Sequence, residues 1–410
     1  MQGADPANSV PGFMLLEPVD PNESFRARRR QARRSRARRR ISALALVALS
    51  AAGVTLGARF LTESDTRPLV TAPAGAGGAA QPAPEPKPEP RPYPDEMRGV
   101  HVTMALASLK GKLNEYLSLT SEGLNTLELD VKDENGEVAF SRPRVELARQ
   151  IGAARTYYDP FQVVRKVREK GVYLIGRVVV FEDPLLAERK PGMAIRRSDG
   201  GIWRNHAGLG WANPYDKRVW RYNVAVAVAA ATAGFDEIQF DYVRFPTDGD
   251  VGSAVFAGKR RESKARTISA FLAYAREHLE PLGVRISADV FGLAATRNMG
   301  IGQSISRLAR HLDAVYPMVY PSHYGPGQFN LPDPNAQPGR TVALSLRDFA
   351  SELRGLDTRL VPWLQDFSLG REYTIDDVRE QIQAARDASV EGYLLWNPAG
   401  VYTPGGLVPR

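Results

Sequence analysis

Cysteine is absent from the 410-residue chain. That excludes disulfides, thiolate metal sites and cysteine nucleophiles, while leaving the compartment open. Histidine is scarce. The five present (His101, His206, His278, His311 and His323) are scattered, with neither H-E-x-x-H nor H-x-x-E-H spacing, so no metal and no cofactor is expected. No G-x-S-x-G elbow offers a serine nucleophile, and no G-x-G-x-x-G follows the first strand pattern to cradle a dinucleotide. Residues 26–40 contain ten arginines and no acid, although the whole chain carries only +8. The remainder therefore sits near −2, and the basicity is a local tail feature, not a nucleic-acid-binding face.

After the arginines comes Ile41–Ala58, an uncharged run that reaches the minimum of about 17–25 residues for a membrane span. Arginines before it and none within it follow the positive-inside pattern. The reading is a cytoplasmic tail over residues 1–40 and an uncleaved anchor over 41–61. A cleaved signal peptide is the rival, because Leu49-Ser-Ala-Ala-Gly53 is rich in small residues. Residues 62–97 include Gln81-Pro-Ala-Pro-Glu-Pro-Lys-Pro-Glu-Pro-Arg-Pro-Tyr-Pro94, whose alternating proline favours an extended spacer.

From residue 98 to 402 the pattern changes to alternating strands and helices. Strand patterns lie at Gly99–Met104, Thr126–Val131, Tyr173–Phe181, Glu237–Phe245, Arg285–Phe291, Ala314–Tyr320, Leu360–Gln365 and Gly392–Trp396. Helical patterns at Tyr158–Lys170, Asp216–Ala233, Arg261–Leu279, Ile301–His311 and Thr374–Ala388 separate most of them. Eight βα units of this kind predict an α/β fold, the (β/α)₈ TIM barrel, with a doubly wound open sheet as the alternative. Two long loops, Glu182 to Tyr215 and Pro321 to Arg340, leave strand ends and would roof the C-terminal face, where such barrels keep their chemistry.

Three strands share one polar signature: Thr126-Leu-Glu-Leu-Asp130, Glu237-Ile-Gln-Phe-Asp241 and Ile286-Ser-Ala-Asp289. Period-two alternation puts Glu128/Asp130, Gln239/Asp241 and Ser287/Asp289 on one side of their strands, each ending in a carboxylate. Asp241 and Asp289 fall on successive strands at similar height. Two carboxylates on strands about 4.8 Å apart can approach the ~5–5.5 Å of a retaining glycosidase or sit wider. Arg244 is near enough in sequence to neutralise Asp241 in a structural ion pair or to position it. Glu128, Asp130, Glu182 and Asp366 are further acids near strand ends, suited to sugar hydroxyls or to structure, and Glu182 is the leading alternative acid. Trp203, Trp211, Tyr215, Tyr320, Tyr324, Trp363 and Trp396 gather on the same rim, where aromatic faces suit the apolar side of a sugar. His323, Gln365 and Asn397 would add hydrogen bonds.

The segments Trp211-Ala-Asn-Pro-Tyr215, Val219-Trp-Arg-Tyr-Asn223 and Gly234-Phe-Asp-Glu-Ile-Gln-Phe-Asp-Tyr-Val-Arg-Phe-Pro246 resemble a bacterial family of glycosyl hydrolase domains built as TIM barrels. Arg98-Gly-Val-His101, Glu128-Leu-Asp-Val-Lys132, Ala288-Asp-Val-Phe-Gly292, Tyr316-Pro-Met-Val-Tyr-Pro-Ser-His-Tyr324 and Leu395-Trp-Asn-Pro398 fit the same pattern, so the resemblance spans about residues 96–402. It implies distant similarity to the α-amylase and α-galactosidase barrels, whose nucleophilic aspartate ends the fourth strand. Asp241 matches that position, and Asp289 stands where amylase-like barrels carry a glutamate acid. The expectation is a membrane-tethered, extracytoplasmic glycoside hydrolase acting on an envelope or environmental polysaccharide. A non-catalytic glycan-binding barrel is the alternative.

Overall fold

The structure is a computed structural model that describes residues 88–258 and 262–409. The arginine run, the apolar segment and the spacer up to residue 87 lie outside the described residues. Among the described residues no helix is long and apolar enough to cross a membrane.

Among the described residues nine parallel strands close into one barrel: β1 (Met97–Val102), β2 (Thr126–Lys132), β3 (Tyr173–Val179), β4 (Glu237–Asp241), β5 (Arg285–Phe291), β6 (Ala314–Met318), β7 (Arg359–Leu360), β8 (Trp363–Gln365) and β9 (Gly392–Trp396). β1 pairs with both β2 and β9, and the β5–β6 pairing closes the ring. The short β7 and β8 both pair with β6 and together make the seventh stave. Pro362 lies between them, and proline has no N–H to give to a ladder. The barrel is therefore eight-staved, as the βα rhythm predicts.

The alternation in each strand sorts side chains into two layers. Outward-facing Val100, Leu127, Leu129, Ile238, Phe240, Ile286 and Ala288 join the large apolar layer shared with the helices. Inward-facing Met97, Tyr173, Ile175, Tyr316, Trp363 and Leu394 fill the barrel itself. The polar faces of β2, β4 and β5 also look inward.

Helices form where the patterns place them, at Pro160–Glu169, Lys217–Ala233, Lys264–Leu279 and Ile375–Asp387. Gly234 ends the second in a left-handed conformation at φ 103°, which glycine adopts freely. Thr374 and Asp377 make a reciprocal capping box. One helix, Pro338–Glu352, occupies a region read as loop as far as Arg340. The stretch after β3 is also ordered: it contains the helix Pro184–Arg189 and short bridges at Arg196–Ile202 and Arg204–Gly210.

Residues 88–96, compositionally part of the spacer, lie against the barrel floor. Arg91 donates to the carbonyl oxygens of Val172 (2.8 Å) and Gly171 (2.9 Å) and to the Asp236 carboxylate (3.0 Å). Tyr93 packs on Tyr173 at 5.4 Å between centroids, with the Arg285 and Arg359 guanidinium groups 4.3 and 4.5 Å from its ring.

Candidate active site

The C-terminal mouth of the barrel gathers the polar signature. Register pairs Gln239 with Ser287 and Phe240 with Ala288, so the next residues, Asp241 and Asp289, stand side by side on adjacent strands. Both are buried, at 7% and 3% exposure.

Asp241 is held in an ion pair, but not with Arg244. Its partner is Arg177 on β3, which the sequence reading did not single out. Arg177 Nε and Nη2 donate to Asp241 Oδ2 at 2.9 and 2.6 Å, and Nη1 donates to Asp130 Oδ1 at 2.7 Å. Register explains the difference: β3 lies beside both β2 and β4, so an inward arginine at its centre spans the two carboxylates. Arg244 has already left the strand when it is reached. The backbone N–H of Tyr242 donates to Asp241 Oδ1 at 2.6 Å, from a residue at φ 49°. That positive φ is uncommon outside glycine and marks a locally constrained backbone.

Asp289 stands in a different environment. Trp363 Nε1 and Gln239 Nε2 donate to Oδ1 at 2.7 and 3.0 Å, and no cation among the described residues forms an ion pair with it. Burial, then the neighbouring Asp241 charge, push its carboxyl well above the ordinary range. The two carboxylates therefore differ: one clamped by a guanidinium, the other biased to hold a proton.

A second acid couple lies beneath. Glu128 is fully buried and is held above the usual carboxylate range, chiefly by desolvation. Its Oε2 contacts His101 Nδ1, and burial lowers His101 to about 4. Both directions describe one neutral pair, with Glu128 holding the proton and donating to Nδ1. The imidazole then carries its hydrogen on Nε2, which is 3.8 Å from Asp130 Oδ1. Trp396 covers the imidazole at 4.5 Å between centroids.

A family model described as "Putative glycosyl hydrolase domain" matches residues 99–402. The chain belongs to this family. It is thereby a glycosidase-type enzyme, and carbohydrate is its substrate class. Among solved structures, a hypothetical protein from Ruminiclostridium thermocellum is 36% identical, over 47% of this chain and 97% of that one, with a TM-score of 0.42. The PgaB (BpsB) glycoside hydrolase domain from Bordetella bronchiseptica is 15% identical, over 74% of this chain and 94% of that one, with a TM-score of 0.53, a likeness of fold. An endo-1,4-beta-D-mannanase from Thermotoga petrophila is 13% identical, over 73% and 88%, with a TM-score of 0.48. No curated protein matches.

In this glycosyl hydrolase barrel the remaining rim residues divide. Trp363 and Trp396 pack edge to face at 5.8 Å and border the cup. Tyr320, just beyond β6, joins them; its ring packs against His323 (5.2 Å) and Phe367 (5.7 Å), and burial pushes its hydroxyl up. Trp203 and Trp211 present no free face. At 1% and 0% exposure they fill the underside of the loop after β3, and Trp203 Nε1 donates to Asp250 O at 2.7 Å. Tyr215 packs on Phe245 and Phe256 at 5.1 and 5.6 Å. Tyr324 is likewise buried, its hydroxyl 2.9 Å from Ser345 Oγ.

Several polar residues are committed to holding loops. Gln365 Oε1 accepts from Ser322 N and Oγ at 3.1 and 2.9 Å, while its Nε2 donates to Phe367 O at 2.8 Å. Asn397 donates to Asp366 O, and Asp366 Oδ2 accepts from Thr403 N at 2.8 Å. Glu182 faces the loop, where Asn205 Nδ2 donates to it at 3.3 Å. These groups join loops after β3, β6, β8 and β9 to one another rather than meeting in the cup.

Proposed function

We propose that this protein is a retaining glycoside hydrolase of an envelope or environmental polysaccharide, with Asp241 as nucleophile and Asp289 as acid and base. The observation that carries the reading is the register of β4 and β5, which sets two carboxylates of unlike environment next to each other. Strands about 4.8 Å apart match the ~5–5.5 Å spacing that retention needs.

In the first step Asp241 attacks the anomeric carbon as Asp289 transfers its proton to the departing glycosidic oxygen. In the second, Asp289, now a carboxylate, takes a proton from water, and the water oxygen displaces Asp241 from the anomeric carbon. Arg177 orients Asp241 through its two hydrogen bonds to Oδ2. The raised affinity of Asp289 for its proton suits the first step.

The arginine run followed by an uncharged segment supports a membrane tether with the barrel outside the cytoplasm.

The test is a hydrolysis screen of the full chain against plant, fungal and bacterial polysaccharides, followed by NMR of the first anomer released. Net retention is expected. Asp241→Asn should lower turnover by several orders of magnitude with ligand binding preserved, because the nucleophile acts chiefly in the transition state. An inverted product, or near-wild-type turnover by Asp241→Asn, rejects the assignment. Binding of a glycan that the wild type never cleaves would support the non-catalytic alternative.

A further inference from the structure

Arg244 is a buried cation with no anionic partner among the described residues. It is 7% exposed. No carboxylate among the described residues forms an ion pair with it. Buried guanidinium groups are normally paired, because desolvating an unpaired charge is costly. Here three rings stand in for the missing partner. The guanidinium carbon lies 4.6 Å from the Phe291 ring, 4.9 Å from Tyr242 and 5.0 Å from Trp211.

Its hydrogen bonds are lopsided. Nη1 donates to Phe245 O at 3.2 Å and to Thr247 Oγ1 at 3.4 Å. Nε and Nη2 have no acceptor among the described residues. That edge presents two parallel N–H groups, the fork that matches both oxygens of a carboxylate. Trp211 Nε1, in the same stack, also has no acceptor.

The position ties this edge to the catalytic cup. Tyr242 follows Asp241 directly, and Phe291 lies two residues beyond Asp289 at the end of β5. The guanidinium therefore lies across the mouths of β4 and β5. The cup below holds the carboxylates Asp130 and Asp241, already paired with Arg177, beside the carboxyl groups of Glu128 and Asp289. An anionic substituent on the sugar being cleaved would meet those carboxylates, whereas one on a neighbouring residue would meet Arg244.

We propose that Arg244 is a specificity-determining residue that binds a carboxylate carried by the polysaccharide next to the cleaved sugar, so that the substrate is an acidic glycan. This rests on the glycosidase reading for its place beside the scissile bond, but the charge preference is measurable without turnover. Phosphate and sulfate esters share the oxyanion chemistry, and the probes separate them.

The full chain is tested against uronic-acid oligosaccharides, each beside its neutral methyl ester, and against phosphorylated and sulfated oligosaccharides beside their ester-free forms. Binding is measured for wild type, Asp241→Asn, Arg244→Gln and Arg244→Lys. Wild type and Asp241→Asn should favour the free uronate over its methyl ester by about tenfold or more, as expected for a charge-assisted two-point bond. Arg244→Gln should abolish that ratio. Arg244→Lys, a point charge without the fork, should restore little of it. A thermal melt checks each variant for folding, and the lysine variant stands in if glutamine fails to fold. Equal binding of uronates and esters by the wild type, a ratio unchanged in Arg244→Gln, or no binding of any acidic member overturns the proposal. A preference for phosphate or sulfate alone overturns the carboxylate assignment. Hydrolysis is scored separately on the same panel: an Arg244-dependent preference without cleavage rejects the glycosidase reading and leaves the acidic-glycan site standing.

Discussion

Asp289 shows how one side chain couples chemistry to stability. Its carboxyl sits well above the ordinary range because burial and the Asp241 charge disfavour its ionised form. In the unfolded chain it would titrate near an ordinary carboxylate, about 3.9. A group raised on folding contributes stability fully below its unfolded value, and that contribution is lost as pH rises through the folded value. Asp289→Asn retains the acceptor for Trp363 and Gln239 and removes the titration. We therefore expect the variant to melt close to wild type near pH 4 and to gain on it as pH approaches 8, by a few degrees for each ~1 kcal/mol. A variant that melts lower than wild type at pH 8 would contradict the raised affinity. With Asp289 as the proposed acid, the same titration would give kcat/KM an alkaline limb, since the acid is lost as Asp289 deprotonates.

At this scale the sequence was informative where strand periodicity determined direction. Glu128, Asp130, Asp241 and Asp289 share the inward face because each is an even number of residues from its neighbour on a strand. Arg177 is legible on the same grounds, as the lone charge in Tyr173-Leu-Ile-Gly-Arg-Val-Val-Val-Phe181, although only the register of β3 with β2 and β4 shows which carboxylates it meets. Glu182, Gln365, Asn397, Trp203 and Trp211 mark the limit. They fall at or beyond strand ends, where period two no longer applies and loop conformation decides what a side chain meets.

Elements were legible where two signals agreed. The helix Lys217–Ala233 has Asp216 at its start and Gly234 at its end, and it formed between them. The helix Pro338–Glu352 was missed because the preceding loop, rich in proline and glycine, hides its start, and no side chain caps its first turn. Composition also misplaces the domain's beginning. Proline alternation runs to Pro94, but a spacer does not place Arg91 against Asp236 or Tyr93 against the floor tyrosine. Removing the segment exposes the lower end of the barrel interior and leaves Asp236 without its Arg91 bond. Burying one aromatic side chain is worth roughly 1.5–3 kcal/mol. A chain beginning at residue 87 should therefore unfold at higher denaturant concentration than one beginning at Met97, with a difference in unfolding free energy of about that size. Equal midpoints would show that residues 88–96 merely rest on the barrel.

At the scale of the whole molecule, charge is segregated. Ten arginines lie within residues 26–40, while the rest of the chain sums to about −2. If the apolar run is a membrane anchor, as proposed, such segregation serves orientation better than substrate capture, because a basic tail beside an apolar run resists translocation. If the acidic-glycan inference holds, a barrel near neutrality gains little long-range attraction for its substrate, and selectivity must come from Arg244 at short range. Residues 62–87 have the composition of a spacer, and at ~3.1 Å per residue an extended proline-rich chain of that length reaches roughly 80 Å. That would let a tethered barrel work on polymer some distance from the bilayer. Protease added to intact expressing cells should cut within residues 62–87 and release a fragment beginning near Lys87, while an antibody epitope on the arginine tail stays protected until the membrane is broken. An epitope cleaved on intact cells would reverse the orientation. Spontaneous recovery of the barrel in the medium, with a new N-terminus following Ser50-Ala-Ala-Gly53, would identify the apolar run as a cleaved signal and remove the tether.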